Sequence, residues 1–120
     1  MKIKNINVHI TEEEIEARVR ELGAEISKDF NGEPVCLICI LKGSVFFTCE
    51  LAKRITNPVE MEFMSVSSYG SGTTSSGVVR IVNDLGTSIE GKNVLVVEDI
   101  IDSGRTLSYL LENLKTRNPK

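Results

Sequence analysis

The stretch "VLVVEDIIDSGRTL", residues 94–107, decides how this chain folds. It begins as an uninterrupted apolar run, the mark of a strand buried on both faces, and closes as the start of a helix. Between the two stand three acids, Glu98, Asp99 and Asp102, beside small turn residues. A strand feeding directly into a helix is the repeating unit of a parallel sheet. Acids at that junction are unexpected, because the unpartnered amides of a helix start attract anions.

The pattern repeats toward the N-terminus. "PVCLICIL" (34–41) is a second continuous apolar run of strand length. It is followed by "KGS" and a helix predicted through Ile55, carrying Val45, Phe46, Leu51 and Ala52. Residues 11–30 read as the clearest helix. Thr11 and Glu14 have capping-box spacing, Ile15, Val19, Leu22 and Ile26 share one face, and Asn31-Gly32 supplies a stop. "VEMEFMSVSS" (59–68) begins with alternation and predicts a strand. Leu107, Leu110, Leu111 and Leu114 predict a last amphipathic helix, ended near Asn118-Pro119. Strands separated by helices imply an α/β fold, a central parallel sheet covered on both faces. Ligands of such sheets bind at the carboxyl ends of the strands, here the loops "LKGS" (41–44) and "EDIIDSG" (98–104).

Bulk properties narrow the function classes. The 120 residues suit a single domain, 1–120, with no room for a second core. A 41% apolar and 26% charged composition is that of an ordinary globular protein. The net charge of -3 offers no attraction to nucleic acid or an anionic membrane. No apolar run spans a bilayer, and "MKIKNINVHI" lacks a signal-peptide core, so a cytoplasmic location is expected. Cys36, Cys39 and Cys49 all lie in apolar segments and are expected to be buried, reduced thiols. Cys36 and Cys39 sit three apart on a strand and therefore point to opposite faces, unable to share a metal. His9, the single histidine, excludes a multi-histidine metal site.

Residues 67–77, "SSYGSGTTSSG", are almost entirely Ser, Gly and Thr around Tyr69. Such a segment buries too little apolar area to order itself, and reads as a flexible loop or a lid that orders over a ligand. Its glycines match neither phosphate motif. Gly70-Ser71-Gly72 lacks a third glycine, and Val78-Val79 follow Gly77 where a P-loop requires Lys and Ser or Thr.

Chemistry at 98–106 follows from the residue types. Amides and hydroxyls of Ser103, Gly104, Arg105 and Thr106 suit a phosphate at a helix N-terminus, where Gly104 permits close approach. Glu98 and Asp99 can accept hydrogen bonds from sugar hydroxyls, directly or through hydrated magnesium, and Asp102 between the two zones can take a proton. A ligand with a phosphate beside a diol is a ribose phosphate. From the residues alone, a second reading stands equally: Asp102 or Ser103 caps the helix and the acids are solvated.

The same stretch resembles the phosphoribosyl pyrophosphate signature of the type I phosphoribosyltransferases: apolar strand, two acids, two apolar residues, a phosphate loop. Asp102 at the variable position resembles the 6-oxopurine (hypoxanthine and guanine) branch. "LKGS" (41–44) is similar to that branch's pyrophosphate loop, and "SSYGSGTTSSG" to its lid with a Ser-Tyr pair. The resemblance implies purine salvage: hypoxanthine or guanine and phosphoribosyl pyrophosphate become IMP or GMP and pyrophosphate, with Mg2+ as cofactor. It implies Asp102 as proton partner of the purine, Glu98 and Asp99 on the ribose hydroxyls and magnesium, and Asp102 to Thr106 around the 5′-phosphate. Leu41, Lys42 and Gly43 would hold pyrophosphate, with a Leu41–Lys42 bond that can be cis, and Ser68 and Tyr69 would close over it.

Family members are usually dimeric or tetrameric, and continue past the last helix with strands that carry the purine-selecting residues. "LKTRNPK" stops where those strands would start, so the chain is expected to be an incomplete domain, poorly stable or nearly inactive alone. Competing readings are a regulatory relative that binds RNA and a binding-only domain that holds nucleotide or phosphoribosyl pyrophosphate without turnover. Asp102 and the absent basic patch count against the first.

Overall fold

A computed structural model of the chain describes residues 10–69, 78–98 and 105–120, with Ser68, Tyr69, Val78, Val79 and Arg105 described in their backbone only. His9, Asp99, Asp102, Ser103, Gly104 and residues 70–77 of the expected lid lie outside the described residues. Seven elements follow in order: α1 (Glu12–Asp29), β1 (Val35–Ile40), α2 (Val45–Ala52), β2 (Val59–Tyr69), β3 (Val78–Asn83), β4 (Asn93–Val97) and α3 (Arg105–Lys115).

α1 starts as its sequence requires. The Thr11 hydroxyl accepts from the Glu14 amide at 3.1 Å, and Glu12, Glu13 and Glu14 face the positive end of the helix. Asn31 and Gly32, at φ 50° and 80°, turn the chain into β1.

β1 is the centre of the sheet, whose order is β3-β2-β1-β4. It pairs in parallel with β2, Val35 opposite Val59 through Ile40 opposite Met64, and with β4, Val35 opposite Asn93 through Cys39 opposite Val97. All six of its residues are buried. Alternate side chains feed two cores. Cys36, Ile38 and Ile40 pack with Met64, Ile89 and the Leu110 and Leu114 face of α3. Val35 and Leu37 pack with Val19 of α1, Leu51 of α2, Ile55 and Val97. Cys36 and Cys39 therefore do point to opposite faces, and burial pushes the Cys36 thiol pKa up, Glu60 adding to it. Cys49 departs from expectation: on the outer side of α2 it is exposed.

The sheet is not wholly parallel. β3 is an antiparallel partner of β2, and the expected flexible segment gives up residues 67–69 to β2, with Ser67, Ser68 and Tyr69 opposite Arg80, Val79 and Val78. Valine and isoleucine at 78, 79, 81 and 82 were the sequence signal for that partner. Past Met64, where pairing with β1 ends, β2 continues for residues 65–69. At the usual rise this two-stranded ribbon extends about 16 Å beyond the parallel strands. β4, expected to be buried, is half-buried from Asn93 to Val96 because β1 is its one strand partner among the described residues. An apolar groove beside it is lined by Val94, Val96, Leu107 and Leu111. No helix among the described residues is long and apolar enough to cross a membrane.

The end of α3 is tied to the segment that leads into β4. Arg117 donates to both carboxylate oxygens of Asp84, at 2.7 and 3.2 Å, and to Asn113 Oδ1 at 2.8 Å. Asn118 at φ 56° offers its carbonyl to the Gly91 amide, and the Lys120 amide donates to Lys92.

Two predictions follow from packing and charge. At Gly23, a Cβ would lie 2.5 Å from both the Cβ and the backbone oxygen of Arg54. Gly23→Ala gains about 0.5–1 kcal/mol of helix propensity but overpacks against backbone at about 1–3 kcal/mol. Its chemical denaturation midpoint is expected below wild type. The Arg117 guanidinium beside Asp84 holds that carboxyl below its ordinary value. A lowered native pKa means its stabilisation is complete above pH about 4 and fades as pH falls through the lower native value. Asp84→Asn should therefore cost about 0.5–1 kcal/mol at pH 7, small because Asp84 is half-exposed. The gap to wild type should close in urea titrations as pH drops below 4.

Candidate functional site

The carboxyl ends of β1 and β4 lie side by side, since Cys39 is the register partner of Val97. Both loops singled out by the sequence therefore leave the same edge of the sheet. The first is a tight turn. The Leu41 amide donates to Met64 at 2.9 Å, prolonging the pairing of β1 with β2 by one bond. The Leu41–Lys42 peptide is cis. Lys42 and Gly43 then stand exposed, and the Val45 amide donates to the Lys42 carbonyl at 3.2 Å to close the turn. Among the described residues, the amides of Lys42 and Gly43 donate no backbone hydrogen bond. Two amides without a backbone partner among the described residues, beside an ammonium group at the entrance to α2, suit an anion.

Ser44 buries its side chain beneath this turn. Its hydroxyl donates to Ile40 O at 2.5 Å and, sharing the same proton, lies 3.3 Å from Val97 O; Cys39 Sγ is 3.4 Å away. The next residue after Val97 is Glu98, half-buried at the mouth of β4. Turn and acid are thus joined through one side chain. α3 begins at Arg105, and Thr106, half-buried, lies in its first turn, the part of a helix where backbone amides lack partners within the helix. The backbone of Ser68 and Tyr69 ends β2 in the ribbon that rises from this edge.

The structure therefore places Leu41, Lys42 and Gly43 at the same sheet edge as Glu98. It places Thr106 at the start of the helix that follows. Asp99, Asp102, Ser103 and Gly104, the residues between Glu98 and α3 on which the sequence reading leaned, are outside the described residues. The sequence placed Ser44 in the loop 41–44 but gave it no role of its own beside Leu41, Lys42 and Gly43. The one available signal was a hydroxyl residue wedged between an exposed turn and an apolar helix. Among the described residues, no group of three His, Cys, Asp or Glu is close enough to cage a metal.

Comparison with known proteins supplies the family. The model of the phosphoribosyl transferase domain matches residues 9–120. The hypoxanthine-guanine phosphoribosyltransferase of Mycobacterium avium is 52% identical over 120 residues, covering 95% of this chain and 59% of that protein. The one from Bacillus subtilis is 50% identical over 113 residues, 94% of this chain and 63% of that protein. Among solved structures, a hypoxanthine phosphoribosyltransferase from Staphylococcus aureus superposes with a TM-score of 0.89 at 46% identity, covering 95% of this chain and 62% of that one. This chain spans about three-fifths of the curated relatives it matches. The expected α/β architecture of the type I phosphoribosyltransferases is therefore the observed one, and the chain belongs to the phosphoribosyl transferase domain family.

Proposed function

We propose that this chain carries the phosphoribosyl pyrophosphate half of a purine-salvage transferase, which converts hypoxanthine or guanine to IMP or GMP with release of pyrophosphate. The observation that carries the reading is the junction at Ser44, which ties an exposed, lysine-bearing turn to the end of β4, one residue before Glu98. Pyrophosphate and ribose hydroxyls of one substrate need those two chemistries side by side. Similarity to hypoxanthine-guanine phosphoribosyltransferases at about half identity supports the same substrates.

In this proposal Lys42 and the amides of Lys42 and Gly43 hold pyrophosphate, and Leu41 fixes the base of the turn. Glu98 and Asp99 accept from the ribose hydroxyls. Magnesium is held by one or two carboxylates together with substrate phosphates, and Glu98 with Asp99 is a donor set of that kind. When bound, it would neutralise charge gathering on the departing pyrophosphate. Ser103, Gly104, Arg105 and Thr106 bind the 5′-phosphate at the start of α3, with Asp102 beside it. The displacement joins a purine ring nitrogen to the anomeric carbon as the bond to pyrophosphate breaks, and Asp102 receives the proton that the nitrogen sheds. Ser68 and Tyr69, at the tip of the β2–β3 ribbon, cover the pyrophosphate and keep water out, with residues 67–77 as the lid. We further propose a cytoplasmic location and a homodimer or homotetramer for the working enzyme.

The test is magnesium-dependent pyrophosphate release from phosphoribosyl pyrophosphate with hypoxanthine or guanine. Turnover is expected to fall by roughly 10²–10⁴-fold in Asp102→Asn, the usual contribution of a positioned proton acceptor. Calorimetric titration with phosphoribosyl pyrophosphate and Mg2+ should show binding by both wild type and Asp102→Asn, weakened about tenfold or more in Lys42→Ala, as loss of a charged hydrogen bond entails. No binding by wild type would overturn the reading. Binding without pyrophosphate release would reduce it to the binding-only alternative.

A further inference from the structure

Ser44 stands where a serine ordinarily caps a helix, immediately before α2, yet its side chain makes no capping hydrogen bond. The hydroxyl turns the other way. It donates to Ile40 O at 2.5 Å, at the end of β1, and lies 3.3 Å from Val97 O, at the end of β4. With that proton committed, the oxygen can still accept from the Cys39 thiol, whose Sγ lies 3.4 Å away. Its own carbonyl takes the Thr48 hydroxyl at 2.7 Å and the Thr48 amide at 2.9 Å, so the backbone of Ser44 is held from the helix side as well. At 2% exposure the group is shielded from water, which could otherwise replace any of these partners. A buried polar side chain that gives up its cap in favour of two strand ends is placed for what those ends carry.

What they carry is the proposed ligand chemistry. Lys42 and Gly43 are strung between Ile40 and Ser44, the two residues joined by the short hydrogen bond. Glu98 follows Val97, the second acceptor. β4 is the outer parallel strand among the described residues, so β1 supplies its one ladder, and a tie at Val97 steadies an end that the sheet holds from one side only.

Resting on the phosphoribosyl pyrophosphate reading above, we infer that Ser44 is a positioning residue: its hydroxyl locks the Lys42–Gly43 turn to the end of β4, fixing the separation between the pyrophosphate contacts and the ribose contacts of one substrate. Loss of the tie is felt most by a ligand that spans both groups. Ribose 5-phosphate, which lacks the pyrophosphate, does not sense the separation.

The experiment is calorimetric titration of the chain with phosphoribosyl pyrophosphate and with ribose 5-phosphate, each with Mg2+, for wild type, Ser44→Ala, Ser44→Cys and Ser27→Ala. Ser27 is the matched control: its hydroxyl donates to Gly23 O at 2.7 Å and accepts from the Thr56 amide at 3.0 Å, joining α1 to the segment after α2 instead of the site. Ser44→Ala is expected to bind phosphoribosyl pyrophosphate about 3- to 10-fold more weakly, the range that one net hydrogen bond gives. Ribose 5-phosphate should stay within about twofold, and Ser27→Ala should bind both as wild type does while losing comparable thermal stability. Ser44→Cys keeps the shape with a weak donor and carries the same expectation if the alanine variant does not fold. Unchanged phosphoribosyl pyrophosphate affinity in a folded Ser44 variant would overturn the inference alone, as would equal weakening of both ligands. Failure of wild type to bind phosphoribosyl pyrophosphate would overturn the parent reading and this inference with it.

Discussion

β1 has neither a face nor an edge left for water. Its backbone is paired by β2 on one side and β4 on the other, and its side chains alternate between the α3 core and the α1–α2 core. Burying Val35, Leu37, Ile38 and Ile40 to 3% exposure or less supplies each with most of its transfer free energy, about 1.5–3 kcal/mol per large aliphatic side chain. That burial is available only if helices cover both faces. The chain must therefore return across the sheet after β1, and the return begins at Leu41. The exposed turn at Lys42 and Gly43 is thus a consequence of how completely the preceding strand is enclosed.

The same enclosure gathers the site. Parallel strands end at one edge, so the turn after β1 and the end of β4 meet although Ser44 and Val97 lie 53 positions apart. An edge of this kind carries amides without partners at helix starts and turns, which favours phosphate, while side chains at strand ends can carry the opposite charge. Lys42 follows the end of β1 and Glu98 the end of β4, so residues of both signs stand at this edge.

Several features were legible because they depend on local patterns. The cap at Thr11, the stop at Asn31-Gly32 and the opposed faces of Cys36 and Cys39 all follow from spacing along one element. β3 was harder to see, because its valines and isoleucine begin directly after a Ser-Gly-Thr run and make sense only opposite the end of β2. Cys49 reads as core from its apolar neighbours, yet α2 packs Thr48 and Leu51 inward and turns Cys49 outward. β4 has the composition of a fully buried strand, while its exposure is set by the number of strands beside it, which composition does not record.

By itself the sequence determined the alternation of strands and helices, the two loops that follow β1 and β4 and the kinds of group they offer, because these rest on period, propensity and charge within short windows. Only the tertiary structure decided that β2 and β3 form an antiparallel ribbon past the sheet edge, and that Ser44 reaches Val97 instead of capping its own helix. Both depend on which strand lies next to which. That neighbourhood is settled by the shared burial of β1, a property of the whole domain and of no window within it.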